Sequence, residues 1–212
     1  LLRRVRGRDR RRYRPAAVFS LADEGPVGRL IAESGVPVYP LRFRAHPLKA
    51  LAGLSCALAS MRPDLLQTFL FHANVGGCLA GRLAGVKRIV ASVRVTEVDR
   101  SWRSAVERMA YRDVDRVVCV ADAVRRYVRA RVGLPPSRLV VIPNGVDLLE
   151  SPPRGPRASR PGVLTVAHLR DQKGLDVLVR AVPAVLSVLP QASFTIVGSG
   201  DPAPYRRLSV DL

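Results

Sequence analysis

Cysteine is scarce in this chain. Its three thiols, Cys56, Cys78 and Cys119, stand far apart, which indicates neither a disulfide framework nor a zinc site of closely spaced ligands and points to a reducing, cytoplasmic compartment. Long apolar runs are also missing. The longest candidate, Leu48 to Ala59, is broken by Lys49 and falls short of the roughly 18 residues a membrane-spanning helix needs. The arginine-dense opening is not followed by the apolar segment of a secretory signal. Aromatic residues make up only 5% of the chain, and no nucleic-acid-binding motif accompanies them, which argues against a nucleic-acid module. Acidic residues number 17 against 35 Lys and Arg, so the formal net charge is +18.

That charge has two readings. It can form a surface that attracts phosphate in nucleotides or anionic lipid headgroups, or it can be the by-product of a composition in which arginine is favoured everywhere. The stretch Arg3 to Arg14 is the exception to an even spread, since eight of its twelve residues are arginine. It is a candidate contact with an anionic membrane face, which would place the protein at the periphery of the inner membrane. The hydrophobic fraction of 48% is ample for a packed core.

Read in order, the chain alternates short β-branched runs with helical segments. Strands are expected over 16–20, 36–41, 64–70, 88–93, 116–120 and 139–142. Helices are expected over 28–34, 48–61, 74–84, 102–111 and 123–131, the last capped by Asp122. The prolines of VPVYPL put the second strand near a sheet edge. This spacing calls for a parallel sheet with helices on both faces, a Rossmann-like α/β domain over residues 1–147. The segment RLVVIPNGVD ends it: a buried strand, then Pro143, then Asn144-Gly145, two residues that tolerate positive φ and so favour a sharp turn. A polar linker rich in Pro and Arg covers 148–161, and the pattern resumes over 162–212 as the start of a second Rossmann-like domain. Strands are expected there at 163–167 and 192–197, with a helix over 173–189. A ligand cleft is expected beside the joint, because ligands of such sheets lie outside the carboxyl ends of the strands. The residues just after the strands are therefore the candidates: His72, Arg94, Glu97, Ala121-Asp122 and Asn144 in the first domain.

Three segments in this order, RPDLLQTFLFHANVGGCLAGRLAGVKRIVASVR, VDRVVCVADAVRRYVRARVGLPPSRLVVIPNGVD and VLTVAHLRDQKGLDVLVRAV with FTIVGSGD, resemble the family 4 glycosyltransferases of the GT-B fold. The resemblance covers roughly residues 15–207. The family opens with a strand and a Gly-rich loop that have no counterpart here. It also carries, further into its second domain, two glutamates seven residues apart that hold the donor. The chain is therefore expected to be an internal fragment, lacking both ends and inactive alone.

The resemblance implies an enzyme that moves a sugar, with retention, from a nucleotide-diphosphate donor, UDP- or GDP-linked, to a hydroxyl of a glycan or lipid-linked acceptor in cell-envelope polysaccharide synthesis. Lys173, with Gly174 beside it, occupies the position that binds the donor diphosphate at a helix start, where free N–H groups and the helix dipole favour an anion. His168 replaces the arginine the family places five residues earlier; an imidazole is shorter and mostly neutral at pH 7. Gly198 and Gly200 flank a loop that borders the nucleotide, although a plain strand-to-helix turn would also use them. Asn144 serves the turn first and the cleft second. Arg94 stands where many members place a histidine. It and Glu97 are the candidate catalytic residues, and they could equally be an ion pair at the rim. His72 is an acceptor-side candidate, or else a partly buried structural histidine. No cofactor or metal is expected, and the sequence is read as holding no Asp-x-Asp metal site. The alternatives to an enzyme are a catalytically inactive nucleotide-sugar or glycan-binding fragment and, less favoured, a basic nucleic-acid-binding module.

Overall fold

In the computed structural model the described residues are 12–43, 45–96, 101–146 and 160–210. The chain divides into two compact units, Leu1–Val146 and Asp147–Leu212. Glu97, most of the Arg3–Arg14 cluster and nearly all of the linker lie outside the described residues.

The first unit alternates strand and helix throughout. Its elements are β1 (Val18–Ser20), α1 (Gly25–Ala32), β2 (Val38–Pro40), α2 (Pro47–Met61), β3 (Leu66–Phe69), α3 (Phe71–Leu83), β4 (Ile89–Val93), α4 (Ser101–Ala110), β5 (Arg116–Cys119), α5 (Asp122–Val132) and β6 (Leu139–Val141). β1 and β2 form a two-stranded parallel sheet. β3, β4, β5 and β6 form a second parallel sheet in sequence order, so each crossover helix joins neighbouring strands. The helices α3, α4 and α5 accordingly lie side by side, each packed on the next. Among the described residues β2 pairs with β1 alone, the edge position its prolines require.

The core of the larger sheet is aliphatic. Ile89, Ala91, Val93, Val117, Cys119 and Leu139 on the strands meet Cys78, Val124, Val128 and Val132 from the helices and Tyr111 from the turn after α4. The small residues of α3 set how close that helix comes. A Cβ on Gly77 would lie 2.6 Å from Thr68 Cγ2, and one on Gly81 would lie 2.8 Å from Leu66 and 2.9 Å from Ile89. At these positions any side chain would push the helix off the sheet.

Three arginines tie down helix ends and the turn that follows α4 with their side chains. Arg82 on α3 donates to the Ala110 carbonyl at 2.6 Å. Arg108 on α4 donates to the Val132 and Arg131 carbonyls at 3.0 and 3.2 Å. Arg138, just before β6, donates to the carbonyls of Arg112 and Tyr111 at 2.9 and 2.6 Å, and to that of Val114. The last four carbonyls of a helix have no intrahelical partner, and a guanidinium fork satisfies several at once. Part of the arginine excess thus has a structural use inside the fold.

Several boundaries differ from those expected. α1 and α2 begin earlier, at Gly25 and Pro47, with a proline in the first turn of each, where its missing N–H is not needed. α3 begins at Phe71, three residues before Asn74. Asp122 does not cap α5: it is the first helical residue, after Ala121, and its carboxylate pairs with Arg125 and Arg126 one turn on. Nor do Asn144 and Gly145 make a left-handed turn, since neither adopts a positive φ.

The second unit contains β7 (Gly162–Val166), α6 (Leu175–Leu186), β8 (Ser193–Val197) and α7 (Ala203–Val210), with β7 and β8 paired in parallel. α7 lies beyond the elements expected from the sequence. No helix among the described residues is long and apolar enough to cross a membrane.

Candidate functional site

In the first unit the chemistry gathers at the carboxyl ends of β3, β4 and β6, where parallel sheets leave strand ends open to ligands. The joint between β3 and α3 is strained: Leu70 takes φ +69° and ψ 163°, a region that is nearly glycine-only and costs a non-glycine residue about 1–3 kcal/mol. Two backbone bonds hold it, Leu70 N–H to the Ser92 carbonyl at 3.1 Å and Asn74 N–H to the Leu70 carbonyl at 2.8 Å.

Beneath this elbow lies a buried polar network that joins four elements. Thr68 Oγ1 donates to Asn74 Oδ1 at 2.7 Å. Asn74 Nδ2 donates to the Ser92 carbonyl at 3.1 Å and to Tyr111 Oη at 2.8 Å. Tyr111 Oη donates to Glu107 Oε1 at 3.1 Å. Asn74 is 1% exposed and Tyr111 is fully enclosed, so each group depends on these partners. Burial, reinforced by the Glu107 carboxylate, pushes the Tyr111 phenol well above its ordinary range. Burial also pushes the Cys78 and Cys119 thiols up to about 11, so both stay protonated and unreactive at neutral pH.

Arg94, at the end of β4, lies 5.6 Å over the Phe69 ring and donates through Nη1 to Asn144 Oδ1. It therefore braces the β4 end against the segment after β6, and Asn144 serves this brace rather than a left-handed turn. His72 is exposed on the first turn of α3, not partly buried, and meets the Phe71 ring edge-on at 5.2 Å. Phe71 in turn meets Trp102 edge-on at 5.8 Å. The Arg103 guanidinium lies 4.5 Å over Phe71 and 5.5 Å from the Trp102 ring.

In the second unit, two loops run together past the ends of β7 and β8. Leu169 N–H donates to the Ser199 carbonyl at 2.8 Å, and Leu169 bridges Gly200 in parallel. A Cβ on Gly198 would lie 1.8 Å from the Ala167 carbonyl oxygen. Gly200 has φ +129°, and its Cβ would lie 2.8 Å from Leu169. Both glycines are required by the pairing of the loops themselves, since Ala167 and Leu169 fill the space a Cβ would take, and the loop edge they form is exposed. His168 is exposed on it, with Nδ1 2.7 Å from Ser199 Oγ. The chain then makes a 3₁₀ turn, Asp171–Lys173, and passes through Gly174 at φ +62° before α6 starts at Leu175. Lys173 thus precedes the helix instead of opening it, and Gly174 is there for its left-handed φ. Lys173 is exposed, within the same short stretch as His168 and Arg170.

Sequence reasoning missed Ser199, Trp102, Arg103 and the buried network. It also passed over one Asp-x-Asp string, Asp113-Val114-Asp115. Both carboxylates are engaged in the fold: Asp113 pairs with Arg82 at 3.2 Å, and Asp115 accepts from Ile89 N–H at 2.7 Å. They sit before β5, at the opposite end of the sheet from the elbow. Among the described residues no three His, Cys, Asp or Glu side chains converge as a metal site.

Two Rossmann-like α/β units, each with its polar groups at the carboxyl ends of parallel strands, define a protein of the GT-B class. The chain belongs to glycosyltransferase family 4, whose profile matches residues 6–149. It is 33% identical over 167 residues to the GDP-mannose-dependent α-(1-6)-phosphatidylinositol monomannoside mannosyltransferase of Mycolicibacterium smegmatis, covering 69% of this chain and 43% of that protein. It is 31% identical over 90 residues to a phosphatidylinositol N-acetylglucosaminyltransferase component of Arabidopsis thaliana, covering 42% and 20%. The chain spans less than half the length of these curated relatives. Among solved structures, a glycosyltransferase from Rickettsia africae shares the fold with a TM-score of 0.63 at 14% identity, over 93% of this chain and 55% of that one. A mutant of TarM from S. aureus, solved with Fondaparinux, α-GlcNAc-glycerol and UDP, has a TM-score of 0.60 at 14% identity, over 76% and 34%.

Proposed function

We propose that this chain is part of a retaining glycosyltransferase that moves a sugar from a UDP- or GDP-linked donor to a hydroxyl of a lipid-linked, phosphate-bearing acceptor at the inner membrane face. The donor diphosphate is assigned to the second unit and the acceptor to the first. The observation that carries this reading is the exposed loop edge past β7 and β8, where His168 Nδ1 is held 2.7 Å from Ser199 Oγ and Lys173 stands exposed a few residues on. An ammonium and an imidazole on an exposed edge suit a departing diphosphate, whose developing charge must be stabilised without reorganisation. Such chemistry is mainly positioning and electrostatics, and in this reading it needs no metal. The acceptor class rests on relatives whose names specify phosphatidylinositol or a diphosphoundecaprenol-linked sugar.

The test is calorimetric titration of the chain with UDP and GDP, with and without EDTA. One of the two nucleotides should bind, EDTA should leave its affinity unchanged, and Lys173→Ala should weaken it about tenfold, or about 1.4 kcal/mol. Absence of binding by either nucleotide would overturn the donor assignment, whereas tight, salt-sensitive oligonucleotide binding would favour a nucleic-acid module.

A further inference from the structure

We propose that the exposed Trp102 ring, braced by Phe71 and Arg103, is a stacking platform for the sugar or cyclitol ring of the acceptor; this rests on the acceptor assignment made above. Trp102 is the only tryptophan of the chain, and it stands 57% exposed on the first turn of α4. A side chain of this size usually goes into a core. Here its neighbours hold it in place at the surface. Phe71 meets it edge-on at 89°, and the Arg103 guanidinium lies over Phe71 at 4.5 Å and by Trp102 at 5.5 Å. Phe71 is itself positioned by the strained Leu70 elbow and, three residues on, by buried Asn74. The rings are therefore pre-organised, which lowers the ordering cost of binding.

The polar surroundings select the occupant. His72 meets Phe71 at 5.2 Å, and the Arg103 guanidinium, which lies over Phe71, is 5.5 Å from the Trp102 ring centre, so an imidazole and a guanidinium stand beside the platform. A hydrocarbon chain laid there would desolvate those groups without pairing them. A ring polyol suits both features, presenting C–H bonds to an aromatic face and hydroxyls to the polar groups at its rim. The position agrees, because Phe71 lies two residues past the carboxyl end of β3 and Arg94 directly follows β4.

Because Trp102 is the sole tryptophan, its fluorescence reports on this site alone. The 212-residue chain is titrated with glycerophosphoinositol, methyl α-mannopyranoside, glycerol 3-phosphate, UDP and GDP, and with phosphatidylglycerol vesicles. A saturable change is expected with at least one ring compound and not with glycerol 3-phosphate. By saturation-transfer NMR, Trp102→Phe should bind that ring compound within about threefold of the parent chain, and Trp102→Ala should lose about tenfold or more, with circular dichroism unchanged in both. An unfolded Trp102→Ala leaves the Phe variant and the fluorescence titration to decide. The platform is overturned if neither ring compound perturbs Trp102, if glycerol 3-phosphate or a nucleotide does so equally, if only vesicles do, or if a folded Trp102→Ala binds normally. Ring binding without nucleotide binding would uphold the platform and overturn the donor assignment. Nucleotide binding without ring binding would overturn the platform alone.

Discussion

At the scale of single residues, glycines and thiols give the sharpest expectations. Gly198→Ala forces a methyl carbon to 1.8 Å from the Ala167 carbonyl oxygen, so it should destabilise the second unit by about 3 kcal/mol. Gly53→Ala, on the exposed face of α2 with nothing within 4 Å, should instead stabilise the chain by about 0.5–1 kcal/mol. Chemical denaturation of both variants checks the pair. The buried thiols set a pH dependence. Cys78 and Cys119 are raised from 9.0 to about 11, and Tyr111 is raised above its ordinary 10.0, all chiefly by burial. Above pH 9 the unfolded chain releases protons that the folded chain keeps, so their contribution is present below pH 9 and lost as pH climbs towards 11. For Cys78 it is on the order of 2 kcal/mol; Cys78→Ala should flatten the fall in denaturation midpoint over that range. The need for a glycine at position 198 could not be read locally, because the clashing atom belongs to a strand end 31 residues away.

At the scale of elements, the strands were legible and the polar wiring was not. β-branched runs such as Ile89–Val93 and Arg116–Cys119 stand where they were expected, because burial on both faces leaves an apolar signature in the sequence. Asn74, Glu107 and Tyr111 carry no such signature. Tyr111 and Asn74 are 37 residues apart, and only the packing of α4 on α3 brings them together. The brace from Arg94 to Asn144, 50 residues on, was hidden for the same reason: the two residues are brought together by the sheet register and not by nearness in the sequence. Tyr111→Phe removes both an acceptor for Asn74 and a donor to Glu107. It should cost about 1–2 kcal/mol, with a smaller loss in the Asn74→Ala background. A double-mutant cycle measures that coupling.

At the scale of the molecule, the alternation of strand and helix announced the α/β class, while the split into two- and four-stranded sheets in the first unit had no local marker. A charge of +18 had two readings, a phosphate-attracting surface or an arginine-favouring composition, and neither gave the arginines a place inside the fold. Instead, Arg82 reaches from α3 to the end of α4, Arg108 from α4 to the end of α5, and Arg138 from the foot of β6 back to the turn after α4. Each βα step therefore latches its neighbour, and the latches overlap like roof tiles. No helix in this series can peel away without breaking bonds made by the next, so α3, α4, α5 and β6 should open together as one cooperative block. Native-state hydrogen exchange should find nearly equal opening free energies for amides at the centres of α3, α4 and α5. Arg108→Lys, which keeps the charge but loses the fork, should let α5 exchange ahead of the others.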